Sequence, residues 1–276
     1  MADDPAVDVA ELRRRVDALD WYHTFDLPGG IVTPGIYDHR KAAAKVPFPD
    51  LRGKRCLDAA SSDGFWAFEM ARRGAASVVS VDLADASRQD WQGPVARMDT
   101  ARGTGRAAAA FAVVAEATGL AVERVDGSVY DLSPEDLGQF DLVFMGNVLL
   151  HLSDPGRALR AVASVTSGQL LSYEMVLLGL SILRPRTPMA QLWHTNDARW
   201  WTTNMAGHRR LVEAAGFEVD ARGGPLLQPF GSHLPAWPRR PLELRTHGVR
   251  ATLAYWLFLR RFGVPTSWVL ASPIRG

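Results

Sequence analysis

The 276-residue sequence holds one cysteine, Cys56, and only three lysines, at positions 41, 45 and 54. A single thiol excludes an intrachain disulfide and fits a reducing compartment. No run approaches the roughly 18 apolar residues of a membrane span; the uncharged run at residues 251–259 stops at nine. The opening MADDPAVD is acidic and lacks the apolar stretch of a signal peptide. Net charge is also scarce, at +1, which excludes a nucleic acid or membrane partner held by bulk charge alone. Absent too are H-E-x-x-H, paired cysteines and a G-x-S-x-G elbow, so neither a metal site nor a serine nucleophile is expected. These absences leave the expectation of a soluble, cytoplasmic protein.

What is present is a hydrophobic fraction of 47%, ordinary for a chain with a large core, at a length suited to one large domain. The near-neutral charge hides an asymmetry. Residues 239–261 carry six arginines against one glutamate, a local +5 that leaves the remainder at −4. Two readings of that segment stay open: a phosphate track, or an arginine-rimmed amphipathic helix over 249–262 packed on the body.

Residues 8–19 place Val9, Leu12, Val16 and Leu19 at helical spacing. Residues 20–37 break any helix through Pro28-Gly29-Gly30 and Pro34-Gly35. From residue 54 short apolar runs at 57–61, 77–82, 120–126, 140–145, 168–176 and 217–221 alternate with helical stretches at 64–73, 99–119, 155–166 and 205–216. Such alternation predicts a parallel sheet with helices on both faces, and residues 267–272 add a final strand. Residues 223–241, rich in Gly and Pro, are expected to cross the surface. Ligands of such sheets bind at the carboxyl ends of the strands.

Those ends carry an ordered polar set. The first reads Leu57-Asp58-Ala59-Ala60-Ser61-Ser62-Asp63-Gly64, an acidic residue and small residues leading into a helix. The second ends in Asp82, about twenty residues on, where a carboxylate can accept from ribose hydroxyls. The third gives Asp126-Gly127-Ser128-Val129-Tyr130, and the fourth Gly146-Asn147 followed by Val148-Leu149-Leu150-His151. Ala60 and Ser61 in place of early glycines disfavour a dinucleotide pyrophosphate site.

The series LDAASSDGFWAFEMARRGA, VVSVD, GSVYDL and FDLVFMGNVLLHLSDPGRAL resembles the class I S-adenosylmethionine-dependent methyltransferases. With WYHTFDLPGGIVTPGIYDHRK and WHTNDARWWTTNMAGHRRLVEAAGFEV it is similar, more narrowly, to the tRNA wobble-uridine carboxymethyl/methyltransferase group. The resemblance implies an α/β, Rossmann-like sheet with helices on both faces. An N-terminal helix and lid would occupy 1–50 and the catalytic domain 51–276, with a substrate-side insertion at about 177–202 after strand 5. It implies S-adenosylmethionine as cofactor. Ala60, Ser61, Asp63 and Gly64 would line its methionine part with Asp58 at the strand end, Asp82 would hold the ribose, Ser128 and Val129 would meet the adenine, and Asn147 would close the floor. Carboxymethyl-transferring members place a tyrosine where this chain has Leu150, which favours plain methyl transfer.

A base is needed only where the acceptor loses a proton during transfer. His151, His194 and Glu174 are the candidates, and His23, Trp193, Trp200 and Trp201 are expected on the acceptor side. The aromatic set favours a small organic acceptor, taking the methyl on O or N. A tRNA modifier using the arginine segment and a cofactor-binding protein without turnover stay open, as does a homo-oligomer.

Overall fold

The computed structural model describes residues 8–90, 105–193, 199–233 and 262–274. Seven strands form one sheet: β1 (Arg55–Ala59), β2 (Ser77–Asp82), β3 (Glu123–Asp126), β4 (Phe140–Gly146), β5 (Thr166–Met175), β6 (Phe217–Gln228) and β7 (Val264–Pro273). Their order across the sheet is β6-β7-β5-β4-β1-β2-β3. Within it β3, β2, β1, β4 and β5 pair in parallel, whereas β7 runs antiparallel between β5 and β6.

Two-residue periodicity sends alternate strand side chains to opposite faces. Cys56, Val78, Leu142, Phe144, Leu171 and Tyr173 join one apolar cluster. Their neighbours Leu57, Val79, Val143, Met145 and Leu170 join another. The first is covered by α1 (Val9–Asp17), α2 (Phe65–Arg72) and α3 (Arg106–Thr118), the second by α4 (Pro155–Val165) and α5 (Met205–Ala214). Caps set several helix starts: Asp8 accepts from the backbone N–H of Ala10 and Glu11, Asp154 from Arg157 and Asn204 from Gly207. None of the described helices is long and apolar enough to cross a membrane.

Three expectations need correction. The helix over 99–119 is seen from Arg106, and residues 99–104 lie outside the described set. The strand over 120–126 is shorter, beginning at Glu123. The segment after 221 does not leave the sheet: β6 continues past Pro225 to Gln228, with a register irregularity between Gly223 and Leu226. As an edge strand β6 tolerates the proline, which would cost a ladder hydrogen bond in the interior. The expected helix over 249–262, and with it the arginine segment, falls outside the described residues but for Phe262.

Between α1 and β1, in the segment expected as a lid, the chain is a structured connection packed on the sheet. A two-residue hairpin pairs Asp26–Leu27 with Ile31–Val32. Trp21, Phe25 and Ile31 are buried in the cluster that holds Phe65, Phe144 and Tyr173. After β5, where an insertion was expected at about 177–202, come the short helix Leu178–Leu183 and the hairpin Ala190–Leu192/Trp201–Thr203.

Candidate active site

The chain enters the sheet at β1, builds outward through β2 and β3, then crosses back to β4 on the other side of β1. That reversal opens a crevice at the strand ends. A cavity of about 380 Å³ lies there, lined by Asp58 in β1 and Ala60 just after it, Asp82 at the end of β2, Ser128 after β3, and Gly146 and Asn147 at the end of β4. The lid closes it with Tyr22, His23 and His39, and the turn after β4 contributes His151.

The loop after β1 is built on left-handed backbone at alternate positions: Ala60 (φ 63°), Ser62 (φ 54°) and Gly64 (φ 86°). This conformation brings the Ser62 N–H onto the Asp82 carboxylate, which also accepts from Leu83 N at 2.7 Å. Arg124 on β3 braces the loop by donating to Ser62 O at 2.7 Å. Burial raises the Asp82 carboxyl above its ordinary range, opposed by Arg124 and by these two backbone donors. Asp58 is buried, accepts from Ala67 N at 2.9 Å at the start of α2, and is pushed by burial up to about 8.

Asn147 follows β4 with φ 53°, which asparagine tolerates better than most residues. Its backbone N–H donates to Tyr173 O, and its side-chain amide donates to Gln228 Oε1 at 2.9 Å. Its Oδ1 is buried without a partner, in a residue that borders the cavity together with Asp58, Asp82 and Asp90. Among the described lining residues Arg88 is the one arginine or lysine, and it pairs with Asp126 at 3.3 Å. With three aspartates against one paired arginine, this wall fits a ligand that brings hydroxyls, an ammonium and a positive sulfur, as S-adenosylmethionine does.

The structure brings Asp58, Ala60, Ser61, Asp82, Ser128, Val129, Asn147, His23 and His151 to one cavity. Others stand elsewhere. Asp63 is fully buried and accepts from the backbone N–H of Tyr22 and His23 at 3.0 and 2.9 Å, so it fastens the lid instead of lining the cavity. Gly64 faces Phe111, where a Cβ would come within 2.5 Å of the ring; its smallness serves helix packing. Ser61 spends its hydroxyl on Ser80 Oγ.

Glu174 does not open into the cleft. Its carboxylate lies under the turn after β4 and accepts from Val148 and Leu149 N at 3.2 and 3.3 Å, while burial pushes it up to about 8. Trp193, Trp200 and Trp201 also lie off the cavity wall. Their indole N–H groups donate to Thr202 Oγ1, Asp90 O and Leu149 O, so the insertion braces the cavity rim from behind. Leu150 is buried off the wall as well, its carbonyl accepting from Trp200 N, which withdraws it from the choice between methyl and carboxymethyl transfer. His194 lies outside the described residues.

Sequence reasoning missed His39, Arg124 and Gln228. Each acts through partners distant along the chain; the histidine in Tyr37-Asp38-His39-Arg40 was the one visible signal.

Comparison with known proteins agrees with this geometry. Residues 57–169 match the family model described as a methyltransferase domain. Two curated relatives, the ubiquinone biosynthesis O-methyltransferases of Neisseria meningitidis serogroup C and serogroup A, are each 34% identical over 116 residues. That stretch is 42% of this chain and 41% of each relative, so the chain matches less than half of their length. These relatives are not tRNA modifiers, and the narrower likeness to the wobble-uridine group finds no support in them. Among solved structures, the N-terminal domain of EvdMO1 with SAH and D-fucose superposes with a TM-score of 0.56 at 17% identity, covering 97% of both chains. The [4+2]-cyclase SpnF gives 0.55 at 17% identity, covering 97% of this chain and 94% of its own. The chain therefore has the mixed α/β, Rossmann-like fold of the class I methyltransferases, with a methyltransferase domain matched over residues 57–169.

Proposed function

We propose that this chain is an S-adenosylmethionine-dependent methyltransferase acting on an O or N of a small organic acceptor. The observation that carries the reading is the cavity shared by four strand ends, with its acidic wall and the unpartnered Oδ1 of Asn147. When bound, the cofactor supplies an electrophilic methyl group for in-line displacement. Asp82 would accept from the ribose hydroxyls, Ser128 and Val129 would flank the adenine, and Ala60, Ser61 and Asp58 would border the methionine part. Asn147 Oδ1 would accept from the ammonium. Asp63 and Gly64 act one step back, holding the lid and α2. The lid excludes water and holds the acceptor against the strand ends, and such positioning supplies much of the rate in reactions of this kind.

A small acceptor is supported by the way Tyr22, His23 and His39 border the cavity beside the strand ends. His151 borders the same space as a candidate base. The test starts with calorimetric titration of S-adenosylhomocysteine into the protein. Asp82→Ala is expected to weaken binding roughly 10–100-fold, the effect of about 1.5–3 kcal/mol for a hydrogen bond to a charged group. Next, methyl label from S-adenosylmethionine is offered to the small-molecule and tRNA fractions of a cell extract. Label in small molecules supports the reading, and label in tRNA overturns the choice of acceptor. Binding with no label transferred anywhere would mean this fold serves another reaction, as it does in the [4+2]-cyclase, or none.

A further inference from the structure

The lid carries a side-chain arrangement that cofactor binding does not use. Asp63 Oδ1 is in hydrogen-bond contact with His23 Nδ1, while Asp63 Oδ2 accepts from the backbone N–H of His23 at 2.9 Å. Both residues are buried, Asp63 fully. The His23 carbonyl accepts from Thr33 Oγ1 at 3.0 Å, and Gly35 packs so closely on it that a Cβ would lie 2.3 Å from the His23 carbonyl carbon. The imidazole is thus held from the carboxylate side and along its backbone. With Nδ1 turned onto Asp63, Nε2 is the nitrogen left for a ligand, and His23 lines the cavity.

Beside it stands His39, ring centroids 4.8 Å apart and 2% exposed. Its Nδ1 has no hydrogen-bond partner although the ring borders the cavity. Burial, reinforced by His23, holds His39 well below the ordinary histidine range, so it is neutral. Tyr22 and Trp66 complete a wall of rings. The titratable groups packed around His23 are Asp63 from the β1–α2 loop and Tyr22 and His39 from the lid; Phe65 on α2 adds an apolar ring. Asp58 and Asp82 border the same cavity.

Resting on the methyltransferase reading above, we infer that the lid is the acceptor half of the site: His23, positioned by Asp63, is the general base for an aromatic hydroxyl, and His39 belongs to the ring wall against which the acceptor packs. The acceptor's O–H proton passes to His23 Nε2. The oxygen's electron pair forms the bond to the methyl carbon as the methyl–sulfur bond breaks, its pair remaining on sulfur, and the new imidazolium is stabilised by Asp63. The chemistry favours a phenol over an aliphatic alcohol. A phenolic O–H ionises near pH 10, far more readily than an aliphatic hydroxyl. The ring wall suits a planar partner.

The experiment uses the full chain saturated with S-adenosylhomocysteine and 4-nitrophenol as an optical probe. At a pH below the probe's own ionisation, binding is expected to raise the phenolate absorbance, and His23→Gln is expected to abolish the rise. With S-adenosylmethionine, His23→Gln should lose about 10²-fold in kcat on 4-methylphenol. On 4-nitrophenol at pH 9, where the probe is already ionised, it should lose less than about tenfold. Asp63→Asn should shift the pH profile of kcat, and His39→Gln should raise KM more than it lowers kcat. Equal His23→Gln losses on both phenols, or no phenolate signal from the wild type, overturns the inference. S-adenosylhomocysteine affinity, measured by calorimetry on every variant, separates the two proposals: if the wild type fails to bind it, the methyltransferase reading fails. Should His23→Gln not fold, Asp63→Asn and His39→Gln decide by the same readouts.

Discussion

At the scale of single residues, the loop after β1 runs through left-handed backbone at positions 60, 62 and 64, and glycine fills only the last. Alanine and serine there carry roughly 1–2 kcal/mol of strain each. Ala60→Gly relieves it and gives back about 0.4–1 kcal/mol through the freer unfolded chain. A net gain of up to about 1 kcal/mol is expected, a rise of ~1–3 °C in Tm by calorimetry; an unchanged or lower Tm would mean the Ala60 methyl packs well enough to repay its strain. The placement of cavity-lining residues was legible in the sequence where polar groups end or follow a strand, as with Asp82, Ser128 and Asn147. Roles were illegible where the partner is remote. Nothing local says that Asp63 turns back to the lid or that Asn147 meets Gln228, 81 positions away.

At the scale of elements, the turn from Asn147 to His151 is suspended on Glu174 from below and on Trp200 and Trp201 from behind. Glu174 keeps its proton in the folded chain until about pH 8, against an ordinary 4.5 when unfolded. Its contribution to stability is therefore complete below pH 4.5 and is lost as pH rises through 8. Glu174→Gln accepts the same two backbone hydrogen bonds and cannot ionise. Its stability relative to wild type should grow between pH 5 and pH 9, by up to about 4 kcal/mol in denaturant melts. A constant difference across that range would place the carboxyl in contact with water. The aromatic insertion teaches a related lesson. Trp193, Trp200 and Trp201 suggested an acceptor pocket, yet tryptophans on a hairpin beside a sheet bury their rings equally well by bracing a turn, and sequence spacing does not separate the two uses.

At the scale of the whole molecule, strand–helix alternation made the parallel core of the sheet legible, because strands buried on both faces read as short continuous apolar runs in any such protein. The antiparallel placement of β7 was not legible, since nothing in residues 264–273 names its neighbours. Nor was the fusion of lid and core. Leu12, Val16, Trp21, Phe25 and Ile31 are buried with Phe65, Trp66 and Phe111 in one cluster. Removing residues 1–39 uncovers several large side chains at about 1.5–3 kcal/mol each, comparable to the 5–15 kcal/mol that holds a domain folded. The shortened chain should show no cooperative thermal transition by circular dichroism, and a sharp one would make the lid a separable unit.

The seat of β7 also bears on the birth of the protein. Being last of the seven strands in sequence yet interior in the sheet, it leaves β5 with a bare edge and β6 unattached until residues 264–273 emerge from the ribosome. Synthesis at about 5–20 residues per second then exposes that edge for seconds. Completion of the sheet waits on residues 264–273, and the nascent chain passes through a stage in which an open β edge is the surface a chaperone would meet.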